Sequence, residues 1–273
     1  MCASRGGRTI GIFEQVYTIT KCSGCGLTRT SSRPIETETE HHYAEEYIPS
    51  TTELDRDFGG RRRAALKRVA EEIRSDVSEG SMLDIGSAGG ELLSHFGDGW
   101  ELTALEPSAV GAEELRQRGY EVVHDFFPSN DLEGSTFDVI TMMDVIMIMP
   151  DPVGALEAAR SMINPNGRLY VEIPGHLYRT LLHVGPVPMI RSRRWTDLNA
   201  KVHLFFFDKR SMTKMLTRCG FSLERVVPLP PSTGFGAAGA VQQRVSDVVD
   251  RLPAVRSGRP SLAAKYLFVA NPS

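Results

Sequence analysis

The chain has 273 residues, 41% of them hydrophobic, so it can bury a core of domain size and global disorder is excluded. Its formal net charge of -3 and its pI near 6.2 give no general attraction to nucleic acid or to an anionic membrane. No stretch approaches the roughly 18 consecutive apolar residues of a membrane-spanning helix, and the polar N-terminus lacks a signal-peptide core. We therefore expect a cytoplasmic protein without stable membrane insertion and without a nucleic-acid partner.

The N-terminal segment differs from the rest of the chain, because cysteine, threonine and charged residues dominate it and its apolar periodicity is weak. We predict a small cysteine-containing unit at 1–50 and a larger one at 51–273. Cys22 and Cys25 resemble part of a zinc knuckle, whereas structural zinc generally needs four ligands. We therefore predict no metal site; zinc held by Cys2, Cys22 and Cys25 is the alternative.

Helical patterns alternate with short apolar runs from residue 54 onward. Leu66, Val69 and Ile73 recur on one face and predict a helix over 54–73, on which the basic run 61–63 is interpreted as a solvated face. Buried strands are predicted at 81–85, 101–105, 121–124, 138–142 and 168–173, and helices between them at 91–96, 109–118 and 152–163. The run Asn-Pro-Asn-Gly at 164–167 is expected to break the chain before the fifth of these strands.

The C-terminal part adds one helix and two strands to this pattern. The helix is predicted over 208–219, because Gly220 follows it as a C-cap glycine would. The strands are predicted at 222–227 and 263–270. Strand–helix alternation over the whole larger unit indicates an α/β protein whose mostly parallel sheet carries helices on both faces.

A glycine-rich turn, Gly86-Ser87-Ala88-Gly89-Gly90, follows the strand that ends in Asp84 and Ile85. A dinucleotide fingerprint requires glycine at the first, third and sixth positions, which are Gly86, Ala88 and Glu91 here. Two of the three positions do not carry glycine, and a glutamate at a helix start repels a pyrophosphate. The turn better suits an uncharged or positively charged ligand segment such as that of S-adenosylmethionine, with Asp84 helping to hold its positive end.

A second acidic residue, Glu106, ends the next predicted strand about 20 residues further along the chain. A carboxylate at that place can accept two hydrogen bonds from vicinal ribose hydroxyls. We therefore predict that Glu106 binds the ribose of a nucleoside ligand; a solvated turn is the alternative.

These segments together resemble the class I S-adenosylmethionine-dependent methyltransferase superfamily, in its broad group of methyltransferase domains, over roughly residues 81–221. Leu83–Gly90 is similar to the first motif of that family, with alanine at its middle glycine. Phe137–Val145 and Leu169–Pro174 are similar to its fourth-strand and fifth-strand motifs. The resemblance implies a Rossmann-like methyltransferase fold with a mostly parallel seven-stranded sheet, helices on both faces and an antiparallel last strand.

The resemblance also implies the residues that bind S-adenosyl-L-methionine. Asp125 matches the position that meets the adenine amine, and Phe126 lies beside the ring. Tyr43 belongs to a tyrosine-bearing stretch that is expected to cap the methionine end of the cofactor. The full predicted set is Tyr43, Asp84, Gly86, Ser87, Ala88, Gly90, Glu106, Pro107, Asp125, Phe126 and Met143.

The segment after the fourth predicted strand departs from the family pattern. The family often carries Glu-His there, whereas this chain has Met147 and Ile148. An apolar site floor favours a hydrophobic acceptor, a base supplied elsewhere, or lost activity. His203 lies in a tail-end pattern that is near the acceptor pocket in relatives, and an imidazole can accept a proton near neutral pH. We predict His203 as the catalytic base; a structural histidine is the alternative.

The acceptor is expected to be a small molecule bound beneath an insert at about 175–206, whose apolar run 181–190 can form a lid. Amino-methyltransferases of nucleic acid usually carry an Asn/Asp-Pro-Pro-aromatic motif where this chain has Met142–Val145. We therefore predict O- or C-methylation of a metabolite, lipid or sugar-linked intermediate. The alternatives are a catalytically silent cofactor-binding relative acting as an interaction protein, and a nicotinamide-dependent oxidoreductase. The sequence leaves the oligomeric state open.

Overall fold

The computed structural model describes residues 7–13, 17–30, 41–46, 61–175, 203–229 and 265–273. The predicted lid at 181–190, the start of the first predicted helix and Cys2 lie outside these ranges. No helix within the described ranges has the length and apolar composition that crossing a bilayer requires.

The described elements follow the predicted alternation of strands and helices. The helices are α1 (Arg61–Asp76), α2 (Ala109–Gln117), α3 (Pro152–Met162) and α4 (Lys209–Arg218). The strands are β1 (Gly7–Phe13), β2 (Tyr17–Cys22), β3 (Thr28–Thr30), β4 (Gly80–Ile85), β5 (Trp100–Leu105), β6 (Glu121–Val123), β7 (Phe137–Met143), β8 (Ile163–Pro174), β9 (Phe205–Phe206), β10 (Phe221–Leu229) and β11 (Lys265–Pro272).

The larger of two sheets in the described ranges has the strand order β10-β11-β8-β7-β4-β5-β6. β4 pairs in parallel with β5 and β7, and β7 pairs in parallel with β8, whereas β11 runs antiparallel to β8 and β10. The predicted seven-stranded, mostly parallel sheet with an antiparallel last strand is therefore confirmed. The strand order reverses beside β4, and in open α/β sheets ligands bind beyond the carboxyl ends of the strands at such a reversal.

Helices cover both faces of this sheet, as predicted. α1 buries Leu66, Val69 and Ile73 against one face, where they pack in a cluster with Met82 and Tyr170. α3 and α4 cover the opposite face, where they pack on the alternate residues of the same strands. Each strand in the middle of the sheet is buried on both sides, which explains the nearly continuous apolar runs of the sequence.

The last helix begins and ends as its sequence predicts. The side chain of Asp208 accepts a hydrogen bond from the backbone N–H of Ser211 at 2.7 Å, and the Ser211 hydroxyl lies 2.9 Å from the backbone N–H of Asp208. This reciprocal cap satisfies N–H groups that have no partner within the helix. Gly220 follows the helix with a φ of 79°, the left-handed conformation of a C-cap glycine.

The N-terminal segment forms a second, antiparallel sheet in the order β1-β2-β3-β9. Its last strand comes from the end of the predicted insert, because Phe205 and Phe206 pair with β3. The backbone N–H of Thr30 also donates to the carbonyl of Leu204 at 3.0 Å. The weak periodicity of the segment concealed these strands, and the boundary predicted at residue 50 stays a prediction.

Two predicted local features are corrected by the structure. The helix predicted at 91–96 is a single 3-10 turn at Leu93–His95, because Gly97 and Gly99 follow at once and Gly99 has a φ of 91°. The run at 164–167, predicted to break the chain before the fifth strand, lies within β8. Its residues form an irregularity there, since pairing with β7 passes from Ile163 directly to Arg168.

Candidate active site

A cleft opens at the carboxyl end of β4, at the reversal of strand order. It is lined by the glycine-rich turn, by Leu66 of α1 and by Met143 at the end of β7. The structure thus brings together five of the predicted cofactor-binding residues, namely Asp84, Gly86, Ser87, Ala88 and Met143. The predicted helix start beside the turn is absent, so the backbone of the turn itself shapes the cleft.

The backbone of the turn requires small residues at two positions. Gly86 has a φ of 75°, and a Cβ there would lie 2.6 Å from Cγ2 of Val145. Gly90 also has a φ of 75°, and its Cβ would lie 2.8 Å from Cδ2 of Leu115. Between them Ala88 has a φ of 50°, so the chain tolerates the left-handed conformation even where the family glycine is replaced.

Asp84 is buried at the end of β4 and fixed by hydrogen bonds. The hydroxyl of Thr141 donates to its Oδ1 at 2.5 Å, and the hydroxyl of Ser87 donates to its backbone carbonyl at 2.7 Å. Burial raises the pKa of Asp84 from 3.8 to about 6, against the lowering effects of Thr141, Ser87 and Arg62. The carboxylate is therefore ionised at neutral pH, and a positively charged group bound beside it would stabilise that form.

Glu106 binds the glycine-rich turn from the neighbouring strand. Its Oε2 accepts from the backbone N–H of Ala88 at 2.8 Å, and its Oε1 accepts from that of Ser108 at 2.9 Å. Burial raises the pKa of this carboxyl from 4.5 to about 7, although both hydrogen bonds lower it. Each oxygen keeps a second lone pair, so the predicted ribose contact is compatible with this geometry. Pro107, beside it, has a carbonyl 3.1 Å from Nε2 of His124.

Arg62 was not predicted from the sequence as a residue of the cleft, and Glu91 was used only as an argument against a pyrophosphate. Nε of Arg62 lies 3.3 Å from Oε2 of Glu91, and both residues line the cleft. Nη1 of Arg62 lies 3.7 Å from Oδ2 of Asp144, the residue after β7. The interpretation of 61–63 as a solvated face is thus wrong for Arg62. The available signal was its spacing of four residues from Leu66, which places both on one helix face.

Asp125 and Phe126 follow β6 at the same edge of the sheet. Oδ1 of Asp125 accepts from the backbone N–H of Phe126 at 2.7 Å, and both side chains are partly exposed. They are not among the described residues that line the cleft around Gly86. Their contact with adenine stays a prediction.

His203 and Tyr43 also lie outside the described lining of the cleft. The carbonyl of His203 accepts from the hydroxyl of Thr30 at 3.0 Å, and its ring meets the Phe206 ring edge-on at 6.4 Å. Tyr43 lies half-buried in a π-helical turn at His42–Glu46. The structure therefore gives a position for each residue, and both roles stay predictions.

Met147 and Ile148 lie outside the described lining of the cleft, and their place in the acceptor site stays a prediction. It is buried in the hydrophobic cluster on the sheet face opposite to Leu66 and Met143, and Ile148 packs against the same cluster. The carbonyl of Met147 accepts from the backbone N–H groups of Leu204 and Phe205, both at 3.0 Å. The backbone of Met147 therefore joins the segment after β7 to the start of β9.

Cys22 ends β2, and Cys25 lies in the turn that leads to β3. The backbone N–H of Cys22 donates to the carbonyl of Leu27 at 2.9 Å, and that of Gly26 donates to the carbonyl of Cys22 at 3.0 Å. In the described ranges no three His, Cys, Asp or Glu side chains are grouped as metal ligands. The zinc-knuckle alternative therefore has no support in this part of the chain.

The strand order, the glycine-rich turn after β4 and the carboxylate after β5 define a Rossmann-like methyltransferase fold. Residues 58–226 match the family described as "Methyltransferase domain". The chain belongs to this family of S-adenosylmethionine-dependent methyltransferase domains.

Solved methyltransferases share the fold at low sequence identity. One is a magnesium protoporphyrin IX methyltransferase from Synechocystis PCC 6803 with bound SAH; it has a TM-score of 0.58 and 13% identity, with coverage of 88% of this chain and 100% of that chain. Another is a Burkholderia thailandensis 1,6-didemethyltoxoflavin-N1-methyltransferase with bound 1,6-didemethyltoxoflavin and S-adenosylhomocysteine; it has a TM-score of 0.58 and 13% identity, with coverage of 98% of this chain and 99% of that chain. At these identities the likeness is one of fold.

Curated relatives match over a shorter stretch. A ubiquinone biosynthesis O-methyltransferase from Aeromonas salmonicida (strain A449) is 28% identical over 98 residues, which are 33% of this chain and 41% of the relative. The chain thus matches less than half the length of that relative.

Proposed function

We propose that this chain transfers the methyl group of S-adenosylmethionine to a small-molecule acceptor. The observation that carries the proposal is the charge distribution of the cleft, where Asp84 and Glu91 supply carboxylates and Arg62 supplies a guanidinium. Glu91 is 7% exposed, and its oxygens accept no aligned hydrogen bond from any described residue. Nε of Arg62 lies 3.3 Å from Oε2 of Glu91, and Arg62 also attracts Asp84, so the two buried carboxylates of the cleft share one guanidinium and favour a further positive group.

The proposed ligand fits each of these groups by its chemistry. A sulfonium and an ammonium group suit Asp84 and Glu91, and a carboxylate suits the guanidinium of Arg62. A pyrophosphate would meet the same two carboxylates and would be repelled. The described cleft therefore favours the sulfonium nucleoside over a nicotinamide dinucleotide.

In the proposed reaction the chain mainly aligns two reactants. When bound, S-adenosylmethionine supplies an electrophilic methyl group, which the acceptor takes by direct displacement as the carbon–sulfur bond breaks. Glu106 and the turn at Ala88 hold the nucleoside, while Asp84 and Glu91 hold the positive end, so that the acceptor atom lies in line with the breaking bond. For a hydroxyl acceptor, His203 takes the released proton on its imidazole.

The acceptor class is a small molecule methylated on oxygen or carbon, without a role for nucleic acid. The name of the curated relatives, O-methyltransferase, favours oxygen. The Asn/Asp-Pro-Pro-aromatic motif of nucleic-acid amino-methyltransferases is absent, since Asp144 is followed by Val145 and Ile146. A catalytically silent relative would bind the same cofactor and leave every acceptor unmethylated.

Methyl transfer from radiolabelled S-adenosylmethionine to a small-molecule extract tests the proposal. We expect labelled product that depends on the protein, and a His203→Gln variant that binds the cofactor normally but turns over about 100-fold more slowly. Normal cofactor binding without any labelled product would support the silent relative. Unchanged turnover in His203→Gln would remove the imidazole from the mechanism while leaving methyl transfer in place.

A further inference from the structure

Asp144 has an unusual backbone conformation at the edge of the cleft. It follows β7 with a φ of 59°, in the left-handed region that L-residues rarely adopt. Its neighbours depend on this turn, because Met143 lines the cleft and Val145 occupies the space that a Cβ on Gly86 would need. The conformation of Asp144 therefore sets one wall of the cleft. A residue in such a conformation persists where its surroundings hold it.

Lys265, the first residue of β11, holds the Asp144 side chain. Its Nζ donates to Oδ2 of Asp144 and to Oε1 of Glu172, and it is 8% exposed. Glu172 pairs with Met143 between β8 and β7, and Lys265 pairs with Pro174 at the end of β8. One ammonium group thus ties β7, β8 and β11 together at the cleft edge of the sheet.

The burial of this cluster suggests a role beyond general stability. Glu172 is 1% exposed, its Oε2 accepts no hydrogen bond from any described residue, and burial raises the pKa of its carboxyl. Buried ion pairs contribute little net stability compared with apolar residues of the same shape, yet they fix geometry when both partners are present. Here the fixed geometry is that of the turn at Asp144.

Resting on the proposed function, we propose that Lys265 is a positioning residue for methyl transfer. It acts through Asp144: by holding that carboxylate it keeps the left-handed turn, and the turn places Met143 and Val145 against the glycine-rich turn that binds the cofactor. Lys265 itself is not among the described residues that line the cleft.

A double-mutant cycle with Lys265→Met and Asp144→Gly tests this role, with the dissociation constant of S-adenosylmethionine measured by calorimetry. Methionine keeps the length of the side chain without its charge, and glycine adopts the left-handed turn without support. We expect Lys265→Met to weaken binding about tenfold, and to weaken it less than about twofold when Asp144→Gly is already present. Circular dichroism establishes that each variant is folded at the temperature of the titration.

Two further variants separate positioning from other effects. Arg225→Met removes ion pairs with Glu72 and Asp76 at the C-terminal end of α1, away from the cleft. This variant is expected to lower the free energy of unfolding without changing the affinity for the cofactor. Lys265→Met/Glu172→Gln removes the buried charge that the single variant leaves behind. If this double variant restores binding while Asp144→Gly does not, the uncompensated charge is responsible and the proposal is overturned.

The remaining outcomes also decide the proposal. Additive losses in the cycle, or an unchanged dissociation constant in Lys265→Met, overturn the role of Lys265 and leave the proposed function intact. Failure of the unmodified chain to bind S-adenosylmethionine overturns both.

Discussion

The carboxylate of Glu106 accepts a hydrogen bond from the backbone N–H of Ala88 at 2.8 Å, so the end of β5 holds the turn that follows β4. The same carboxylate accepts from the backbone N–H of Ser108, two residues after it. Glu106 therefore shapes the cleft before any ligand binds. The residue predicted to hold the ribose also fixes the backbone around which a ligand must fit.

Glu106→Ala is expected to weaken S-adenosylmethionine binding about tenfold or more, because it leaves two buried N–H groups without their acceptor and removes a ribose contact. Titration calorimetry gives the dissociation constant. Glu133→Ala removes an exposed carboxylate from the loop after β6 and is the matched control. Equal affinities in the two variants would show that Glu106 has no part in the site.

The affinity for S-adenosylmethionine is expected to rise with pH. Burial raises the pKa of Asp84 to about 6, so this carboxyl loses its proton between about pH 5 and about pH 7 and then attracts a cationic ligand. Binding near pH 6 should release a proton, which calorimetry in buffers of different ionisation enthalpy detects. Asp84→Asn should weaken binding about tenfold at about pH 7.5 and flatten the pH profile. An affinity that falls over this range would exclude a cation beside Asp84.

The free energy of unfolding of the ligand-free protein is expected to change with pH in the opposite direction. The folded-state pKa of Asp84 is raised from 3.8 to about 6 and that of Glu106 from 4.5 to about 7. The folded state therefore binds these protons more tightly than the unfolded state. The stabilisation that these two carboxyls contribute is fully present below their unfolded-state pKa values. It is lost as the pH rises through their folded-state pKa values, over about pH 4 to about pH 7.

Urea unfolding at about pH 5 and about pH 8 measures this decline. Glu106→Gln removes one of the two groups, so the difference between the two conditions should become smaller in that variant. Comparing this difference between the two proteins cancels the contributions of unrelated groups, because those groups titrate in both. An unchanged difference would mean that the Glu106 carboxyl is not buried in its ionised form.

The two small residues of the turn are expected to respond in opposite ways. Ala88→Gly should leave the free energy of unfolding unchanged or raise it by at most about 1 kcal/mol, because glycine has no Cβ that disfavours the left-handed conformation. Gly86→Ala should lower it by about 2 kcal/mol or more, because its Cβ would meet Val145 at 2.6 Å. Urea titrations of both variants give the comparison. A loss in Ala88→Gly as large as that in Gly86→Ala would contradict the conformation of this turn.

The sequence predicted the main sheet well, because its strands are short apolar runs separated by helical patterns and strong caps. The C-cap at Gly220 and the acidic residue after β5 are local signals of this kind. The helix at 91–96 was predicted wrongly, because helical periodicity over six residues does not outweigh two glycines immediately beyond it. Short windows carry little information about which hydrogen bonds the backbone will make.

The charged part of the site depends on contacts between residues that are far apart in the chain, and local sequence patterns do not predict such contacts. Arg62 and Glu91 are 29 positions apart, and Lys265 meets Asp144 across 121 positions. The basic run at 61–63 has the composition of a solvated helix face, and only the folded chain places the Glu91 carboxylate beside Arg62. The pairing of β3 with β9 was missed for the same reason, since β9 lies far along the chain, whereas β1 and β2 were missed because their apolar periodicity is weak.

Titration calorimetry of the unmodified chain with S-adenosylmethionine and, separately, with NAD tests the central claim most directly. We predict one site for S-adenosylmethionine per chain with a dissociation constant in the micromolar range, and no heat of binding for NAD at the same concentrations. If the chain bound NAD and did not bind S-adenosylmethionine, the account would be contradicted, because a diphosphate would then occupy the cleft between Asp84 and Glu91.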